Sequence, residues 1–113
     1  MAAKLGYVIE FVADMGRAVK FYRDVVGLSL KFESAEWSEF QTGETKFALH
    51  PASQQNPAGK MELGLTVQDM QVSFEELKGK GVKFLMPPTQ QDYGGKLARF
   101  EDSEGTPWSL GGQ

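Results

Sequence analysis

The sequence predicts an α+β fold built from two consecutive βαβββ modules. A strand-like segment, an Asp-Met step and a helical pattern ended by glycine occur twice, at an interval of 55 residues that separates Asp14 from Asp69. An internal repeat of this kind defines the architecture before any single residue is interpreted. Three short strand-like segments follow each helical pattern, which favours mostly antiparallel sheets over a doubly wound parallel sheet.

The first module starts with an apolar strand over about residues 5–13. Asp14 then occupies the N-cap position of a helix, because its carboxylate can accept a hydrogen bond from an unpaired backbone N–H of the first turn. Helical spacing predicts one buried face, formed by Ala18, Phe21, Tyr22 and Val25. Gly27 ends this helix, since glycine adopts the left-handed conformation at little cost. Three further strands are predicted at residues 28–33, 36–41 and 45–50.

The second module repeats this order after a polar linker over residues 52–59. A strand over residues 60–68 leads to Asp69, which is predicted to cap a helix whose buried side contains Met70, Phe74 and Leu77. Two glycines, Gly79 and Gly81, end that helix. The last strands are predicted at residues 82–86, 96–101 and 106–110, separated by Pro87-Pro88 and Tyr93-Gly94-Gly95. We therefore expect one domain over residues 1–113, with modules at about 5–51 and 60–111.

Composition is that of a globular protein and limits its partners. The 113 residues are 41% hydrophobic and 24% charged, which is ordinary for a domain with a buried core. A net charge of −3 and a pI near 5.1 argue against nucleic acid and anionic membranes as partners. The absence of cysteine excludes disulfides, thiolate metal ligands and a Cys nucleophile. With no transmembrane-length apolar run and no signal-peptide pattern at the start, we expect a cytoplasmic protein.

Three segments together resemble a known superfamily. Residues 12–15 read VADM, residues 21–28 read FYRDVVGL and residues 100–105 read FEDSEG. In this order they resemble the pattern of the glyoxalase/bleomycin-resistance/extradiol-dioxygenase superfamily, also called vicinal oxygen chelate proteins, with its FYrdvLGl signature and a DPDG-like segment. The resemblance covers nearly the whole chain and includes both repeats. It implies that the two βαβββ modules form a half-open mixed or antiparallel barrel around a cavity, in a homodimer.

The resemblance also implies where a metal site would lie. Enzymes of the superfamily take metal ligands, typically His, Glu or Gln, from the first and last strands of each module, and these positions fall on Tyr7, Ala48, Glu62 and Ser109. A catalytic metal normally has at least three suitable protein ligands. Alanine has no donor atom, whereas neutral serine and tyrosine hydroxyls are poor ligands for a divalent cation. The chain also has only one histidine, whereas ferrous dioxygenases need two. We therefore expect no metal ligands, no metal and no other cofactor.

Five residues are candidates for binding a small organic ligand: Tyr7, Phe11, Trp37, His50 and Glu62. Tyr7 is expected to line the cavity as an aromatic ring with a polar tip. Trp37 and Phe40 point to opposite faces of their strand, so that one of the two is expected to reach the cavity.

Two of these candidates are also the candidates for catalysis, His50 and Glu62, although no catalytic residue is assigned. Strand alternation places His50 on the same face as Ala48. His50 then either joins Glu62 in a displaced metal site or makes a hydrogen bond at the strand end beside Pro51. Glu62 is either a general base or the receptor of a cationic ligand, or else a solvated carboxylate at the cavity mouth.

Glu10 stands apart from this set. Alternation puts it on the face of Val8 and Val12, where an unpaired buried carboxylate would be costly. A hydrogen-bonding partner or an edge position is required, and the sequence leaves both open.

The leading hypothesis is a metal-independent protein that binds a small organic molecule, such as an aromatic or antibiotic-like ligand, in a cavity completed by a homodimer. One alternative is a lyase, isomerase or dioxygenase with an unconventional site made of His50, Glu62 and Tyr7. Another is an interaction module with a vestigial cavity. Metal content and turnover separate the first two hypotheses, and the third predicts that no small molecule binds.

Overall fold

A computed structural model of the protein describes residues 2–113, within which eight strands and two helical segments follow the order βαβββ twice. The elements of the first module are β1 (Ala3–Val12), α1 (Met15–Lys20) with a π-helical continuation (Phe21–Val26), β2 (Ser29–Phe32), β3 (Ser38–Gln41) and β4 (Lys46–Pro51). Those of the second are β5 (Met61–Val67), α2 (Met70–Gly79), β6 (Phe84–Gln90), β7 (Lys96–Glu101) and β8 (Pro107–Gly112). The predicted α+β fold of paired βαβββ modules is confirmed. None of the helices over residues 2–113 has the length and apolar content that a membrane span requires.

The chain divides into two compact units, one of which comprises Gly6–Glu62. Its strands are ordered β2-β3-β4-β1. The first and last strands of the module, β1 and β4, run parallel, with Tyr7 opposite Lys46 and Phe11 opposite His50. The pairs β2/β3 and β3/β4 are antiparallel. The sheet of this module is therefore mixed.

The other unit contains Leu63–Gln113 and repeats this pattern. Its strands are ordered β5-β8-β7-β6. Again the first and last strands, β5 and β8, are parallel, with Gly64 opposite Ser109, and the remaining pairs are antiparallel. Parallel pairing of these two strands is possible because a helix and two further strands connect them, which is enough chain for a crossover.

Each unit buries the side of its sheet that faces its helix. In the first unit Val12, Val19, Phe40 and Leu49 form the buried cluster. In the second unit Val67, Met70, Ala98 and Leu110 form it. Val12 and Val67 are separated by the 55 residues of the repeat, and each of them lies in the core of its own unit. The repeat in the sequence therefore includes the core position at the end of the first strand of each module.

Both predicted N-caps are present. The Asp14 carboxylate accepts a hydrogen bond from the backbone N–H of Arg17 at 3.1 Å, and the Asp69 carboxylate accepts one from that of Val72 at 3.1 Å. Gly27 follows the first helical segment with φ of 90°, in the left-handed region that the prediction required.

The predicted buried face of the first helix is wrong in part. Tyr22 and Ala18 pack on the core, but Phe21 is 50% exposed and Val25 is 74% exposed. The physical reason is the change to π-helical geometry at Phe21, where the backbone N–H of Gly27 bonds to the carbonyl of Tyr22 five residues earlier. The wider turn breaks the spacing of 3.6 residues on which the prediction rested.

The prediction that Pro87-Pro88 ends a strand is also wrong. Strand β6 runs through both prolines from Phe84 to Gln90. It lies at the end of the strand order, paired only with β7 among the strands of its unit, and the register with β7 shifts between Met86 and Thr89. An edge strand tolerates proline where the N–H position points away from its one partner, and the interruption of the ladder between Met86 and Thr89 accommodates the neighbouring proline.

The linker predicted over residues 52–59 is bound to β1 by backbone hydrogen bonds. The N–H of Gly59 donates to the carbonyl of Phe11 at 2.8 Å, and the N–H of Phe11 donates to the carbonyl of Lys60 at 2.9 Å. The N–H of Ala52 donates to the carbonyl of Val12 at 2.8 Å. This segment therefore has a defined position beside the end of β1.

Replacing either N-cap aspartate with alanine (Asp14→Ala or Asp69→Ala) should lower the free energy of unfolding by about 1 kcal/mol, since one backbone N–H in each first turn loses its partner. Urea denaturation followed by circular dichroism measures the change. Asp92→Ala is the matched control, because Asp92 lies in an exposed turn and caps no helix. If only one of the two variants had a lower free energy of unfolding, the two caps would not be equivalent.

Candidate functional site

Three of the predicted site residues form a ring cluster on one face of the first module's sheet. The rings of Phe11 and His50 lie 5.4 Å apart, centroid to centroid, in edge-to-face geometry. The rings of Trp37 and His50 lie 6.4 Å apart and nearly perpendicular. Phe11 and His50 are brought together because they are opposite each other in the β1/β4 ladder. We call Phe11, Trp37 and His50 the aromatic face.

The position of Trp37 depends on a short turn. The N–H of Trp37 donates to the hydroxyl of Ser34 at 3.1 Å, and the N–H of Ser34 donates to the carbonyl of Trp37 at 3.0 Å. The sequence predicted that either Trp37 or Phe40 reaches the ligand-binding face. Trp37 does so, since it packs against the cluster of Ile9, Phe11 and Ala48. Phe40, which is fully buried, belongs to the core under the helix.

The surroundings of His50 define the roles of its two ring nitrogens. Its Nδ1 lies 2.9 Å from the carbonyl oxygen of Pro51. A carbonyl only accepts hydrogen bonds, so Nδ1 must carry the proton and donate. In the neutral ring, Nε2 is then an acceptor, and the side chain is exposed. The hydrogen bond at the strand end is the arrangement that the sequence offered as the alternative to a displaced metal site.

Glu39 is a member of this site that the sequence reasoning missed. The indole N–H of Trp37 donates to its carboxylate at 3.2 Å. The ammonium groups of Lys31 and Lys46 lie 3.6 Å and 3.9 Å from the other carboxylate oxygen. The signal was available, because Glu39 follows Trp37 by two residues and strand alternation places both on one face.

The remaining predicted residues lie as follows. Tyr7 is half-buried and packs, together with Trp37, against the buried cluster of Ile9, Phe11 and Ala48. Glu62 is buried, with 7% of its surface exposed, at the start of β5. His50 makes its contacts with Phe11, Trp37 and Pro51, so the structure does not join His50 to Glu62.

The four positions that correspond to metal ligands do not fit a divalent cation. Ala48 is fully buried in the apolar cluster and offers no donor atom. Tyr7 and Ser109 offer hydroxyl groups, and Glu62 offers the one carboxylate. Over residues 2–113, His, Asp and Glu side chains nowhere come together in a group of three or more. The donor set expected of a metal-dependent member of the superfamily is therefore missing.

Glu10 lies on the other face of β1, and the structure supplies the partner that the sequence required. The hydroxyl of Tyr22 donates a hydrogen bond to Glu10 Oε1 at 2.5 Å. Burial, together with this hydrogen bond and the charge of Glu10, raises the pKa of Tyr22 to about 12. Tyr22 is in turn held by Phe47, whose ring lies 4.9 Å away in edge-to-face geometry. This Glu10–Tyr22 pair is a polar contact at the margin of an otherwise apolar core.

Two open cavities among the described residues, one in the first unit and one in the second, are large enough for a small molecule. The cavity in the first unit has a volume of about 420 Å³ and lies between the end of β1, the first helix and the linker. That in the second unit has about 340 Å³ and lies between the end of α2 and residues 100–103. Of the five predicted ligand-binding residues, only Phe11 lines the larger cavity.

The segment 100–105, which carried part of the resemblance, is a turn organised by one carboxylate. Asp102 accepts hydrogen bonds from the backbone N–H groups of Glu104 and Thr106, both at 2.9 Å, and from the indole N–H of Trp108 at 3.0 Å. The hydrogen bond from Thr106 is the largest of the effects that hold the pKa of Asp102 below its usual value. The motif therefore has a structural role between β7 and β8.

The Tyr22 phenol should ionise near pH 12 in the folded protein, compared with about 10 in an unfolded chain. Because the folded-state pKa is raised, the Glu10–Tyr22 pair stabilises the fold fully below pH 10, and this contribution is lost as the pH rises through about 12. Tyrosinate absorbance after a rapid pH jump measures the transition.

The ionisation near pH 12 should be absent in Tyr22→Phe. It should be retained in Tyr93→Phe, the control on an exposed loop. An ionisation near pH 12 that persists in Tyr22→Phe would contradict the assignment of the raised pKa to Tyr22.

Comparison with known proteins gives the family of the chain. The uncharacterised protein YetH of Bacillus subtilis (strain 168) is 25% identical over 119 residues, which cover 97% of this chain and 98% of that protein. The hypothetical protein BH1468 from Bacillus halodurans C-125 has a similar structure, with a TM-score of 0.81 at 19% identity over 100% of this chain and 96% of that one. A methylmalonyl-CoA epimerase from Mycobacterium tuberculosis matches with a TM-score of 0.75 at 18% identity over 96% and 86% of the two chains.

These two structural similarities, both below 25% identity, concern the fold alone. The family model described as Glyoxalase/Bleomycin resistance protein/Dioxygenase superfamily matches residues 4–110. The chain therefore belongs to the Glyoxalase/Bleomycin resistance protein/Dioxygenase superfamily.

Proposed function

We propose that the protein binds a small aromatic molecule without a metal ion, and that the aromatic face is where the ligand docks. The observation that carries this proposal is the edge-to-face cluster of Phe11, Trp37 and His50, in which the exposed imidazole has an acceptor nitrogen. Phe11 is only 5% exposed, so the rings of Trp37 and His50 are the ones that offer faces and edges to a planar ligand for stacking and edge contacts.

The polar groups around the aromatic face favour a ligand with both hydrogen-bonding and ionic groups. His50 Nε2 accepts a hydrogen bond from a phenol or an amide. Lys31 and Lys46 carry two positive charges near the carboxylate of Glu39, so this part of the rim has a net positive charge. An aromatic acid or a phenol matches this arrangement, because its charge or hydroxyl group meets the rim while its ring meets the apolar centre.

Tyr7 and Glu62 are proposed to border the ligand. Tyr7 packs on the same apolar cluster as Trp37, and Glu62 is a buried carboxylate at the start of β5. No reaction is proposed for these residues. The similarity to a methylmalonyl-CoA epimerase is at 18% identity and concerns the fold alone, so that activity is not proposed for this protein.

Binding of aromatic fragments should depend on the aromatic face. We expect saturation-transfer NMR to detect phenol, indole and benzoate but not cyclohexanol, because the saturated ring cannot make the edge-to-face contacts. His50→Ala and Trp37→Leu should each weaken binding by roughly three- to tenfold, the effect of losing one aromatic contact.

Tyr93→Ala is the matched control, since it removes an aromatic ring that is 75% exposed in the other unit. Equal weakening by the control variant, or binding of cyclohexanol as strong as that of phenol, would contradict a ligand site on the aromatic face.

We further propose that the protein works as a homodimer without bound metal. Large apolar side chains of the first unit remain exposed, among them Phe32 at 53% and Met61 at 54%, and a second copy would cover such surface. Native mass spectrometry of the untagged protein tests both points at once. The expected result is the mass of two chains with no added metal, unchanged after incubation with Ni²⁺, Zn²⁺, Fe²⁺ or Mn²⁺.

A monomer at micromolar concentration would overturn the dimer. A stoichiometric metal that is lost in His50→Ala or Glu62→Gln would overturn metal independence and make turnover assays the next step.

A further inference from the structure

Phe11 is the one residue of the aromatic face that also lines the larger cavity, whereas Trp37 and His50 do not line it. Glu10 projects toward the helix and bonds to Tyr22, whereas Ile9 and Phe11, its neighbours along the strand, pack on the other face. The cavity has a volume of about 420 Å³, within the range of sites for small organic molecules. Three parts of the first unit enclose it: the end of β1, the first helix and the linker residues Ala58 and Gly59.

The charges around the cavity favour a cation. Its ionisable side chains are Glu10, Asp14, Arg17 and Tyr22. Asp14 and Arg17 lie in the same helical turn with opposite charges, and the Asp14 carboxylate already caps the helix. Tyr22 is neutral at physiological pH, because its pKa is raised to about 12. The charge that remains uncompensated is that of Glu10.

Glu10 has an oxygen available for a ligand. The hydroxyl of Tyr22 bonds to Oε1 and holds the carboxylate in one orientation. Within residues 2–113, Glu10 makes no ion pair, and Tyr22 is its hydrogen-bonding partner. A half-buried carboxylate with one engaged oxygen can accept a charge-assisted hydrogen bond through the other.

The apolar part of the cavity comes from the start of the π-helical segment. Phe21 and Tyr22 both line the cavity, with their rings 5.2 Å apart in edge-to-face geometry. Phe21 is 50% exposed, although its helix has an apolar core beneath it. The π-helical turn thus places one aromatic residue at the cavity instead of in the core, a geometry that recurs at functional sites. Aromatic rings beside a carboxylate form a suitable environment for an organic ammonium group.

We propose that this cavity binds a small organic ammonium ion with an aromatic or apolar body. The ammonium group donates a hydrogen bond to the Glu10 carboxylate, which Tyr22 orients, and the apolar body packs against Phe21 and Ala58. The segment that closes the cavity is fixed, since Gly59 is hydrogen-bonded to the backbone of Phe11. Trp37 and His50 of the aromatic face play no part in this second site, because neither of them lines the cavity.

A set of three probes with the same phenyl body tests the charge preference: phenethylamine, phenethyl alcohol and hydrocinnamate. Amide-resolved NMR titration at millimolar probe concentrations should show binding of the amine, with shifts at Tyr22 and Gly59, and much weaker binding of the alcohol and the acid. Glu10→Gln should weaken amine binding by roughly tenfold or more, because a charge-assisted hydrogen bond is lost.

Two further variants keep the test independent of folding. Ala58→Phe, at an exposed position on the cavity wall, should block the amine while leaving the thermal unfolding midpoint nearly unchanged. Glu44→Gln removes an exposed carboxylate elsewhere and should leave amine binding intact.

Equal affinity for the three probes would overturn the proposal. So would amine binding that survives both Glu10→Gln and Ala58→Phe, shifts confined to Trp37 and His50, or no binding at millimolar concentration.

Discussion

The packing of a short helix across one face of a four-stranded sheet is the constraint on which each module depends. Every large side chain buried there contributes on the order of 1.5–3 kcal/mol, and the two clusters around Leu49 and Leu110 contain most of the fully buried residues. The aspartate caps hold the first turn of each helix in place, so that the residues after them reach the core. Because the helix covers only one face, the other face is left for packing of a different kind or for a ligand.

Strand β1 shows how this constraint produces two separate chemical environments from adjacent residues. Phe11 contributes to the aromatic face with His50, whereas Glu10 points to the helix and bonds to Tyr22. Side chains alternate along a strand, so neighbouring residues place the Phe11 ring in the aromatic face and direct the Glu10 carboxylate toward the helix. The two proposed ligands differ accordingly: an aromatic molecule with an acidic or hydroxyl group on one face, and an ammonium ion on the other.

The superfamily scaffold is kept here, whereas its usual metal chemistry is not supported by the side chains. Ala48 occupies a ligand position of the superfamily and is instead a buried part of an apolar cluster. The histidine two residues further along β4, His50, is oriented by the carbonyl of Pro51 and by two aromatic rings. The two modules have also diverged in detail. The first continues its helix as a π-helical segment, while the second has an α-helix that ends at Gly79.

The sequence by itself determined the class of fold, the order of the elements and the two caps. These features are local or periodic: Asp14 and Asp69 precede helical patterns, and the 55-residue interval relates the two strand–cap–helix segments. Strand alternation also sufficed to assign His50 to the face of Ala48. Helical spacing failed for Phe21 and Val25, since the change of helical period at Phe21 leaves no mark in the apolar spacing.

Only the tertiary structure decided which side chains meet. The partner of Glu10 is Tyr22, twelve residues away on a different element, and Glu39 gains its role from an indole and two lysines that come from other positions along the sheet. Strand β6 passes through two prolines because it lies at an edge, which is a property of the sheet order. Local patterns specify elements through the chain's own periodicity, whereas contacts between elements depend on register and packing, which no single segment encodes.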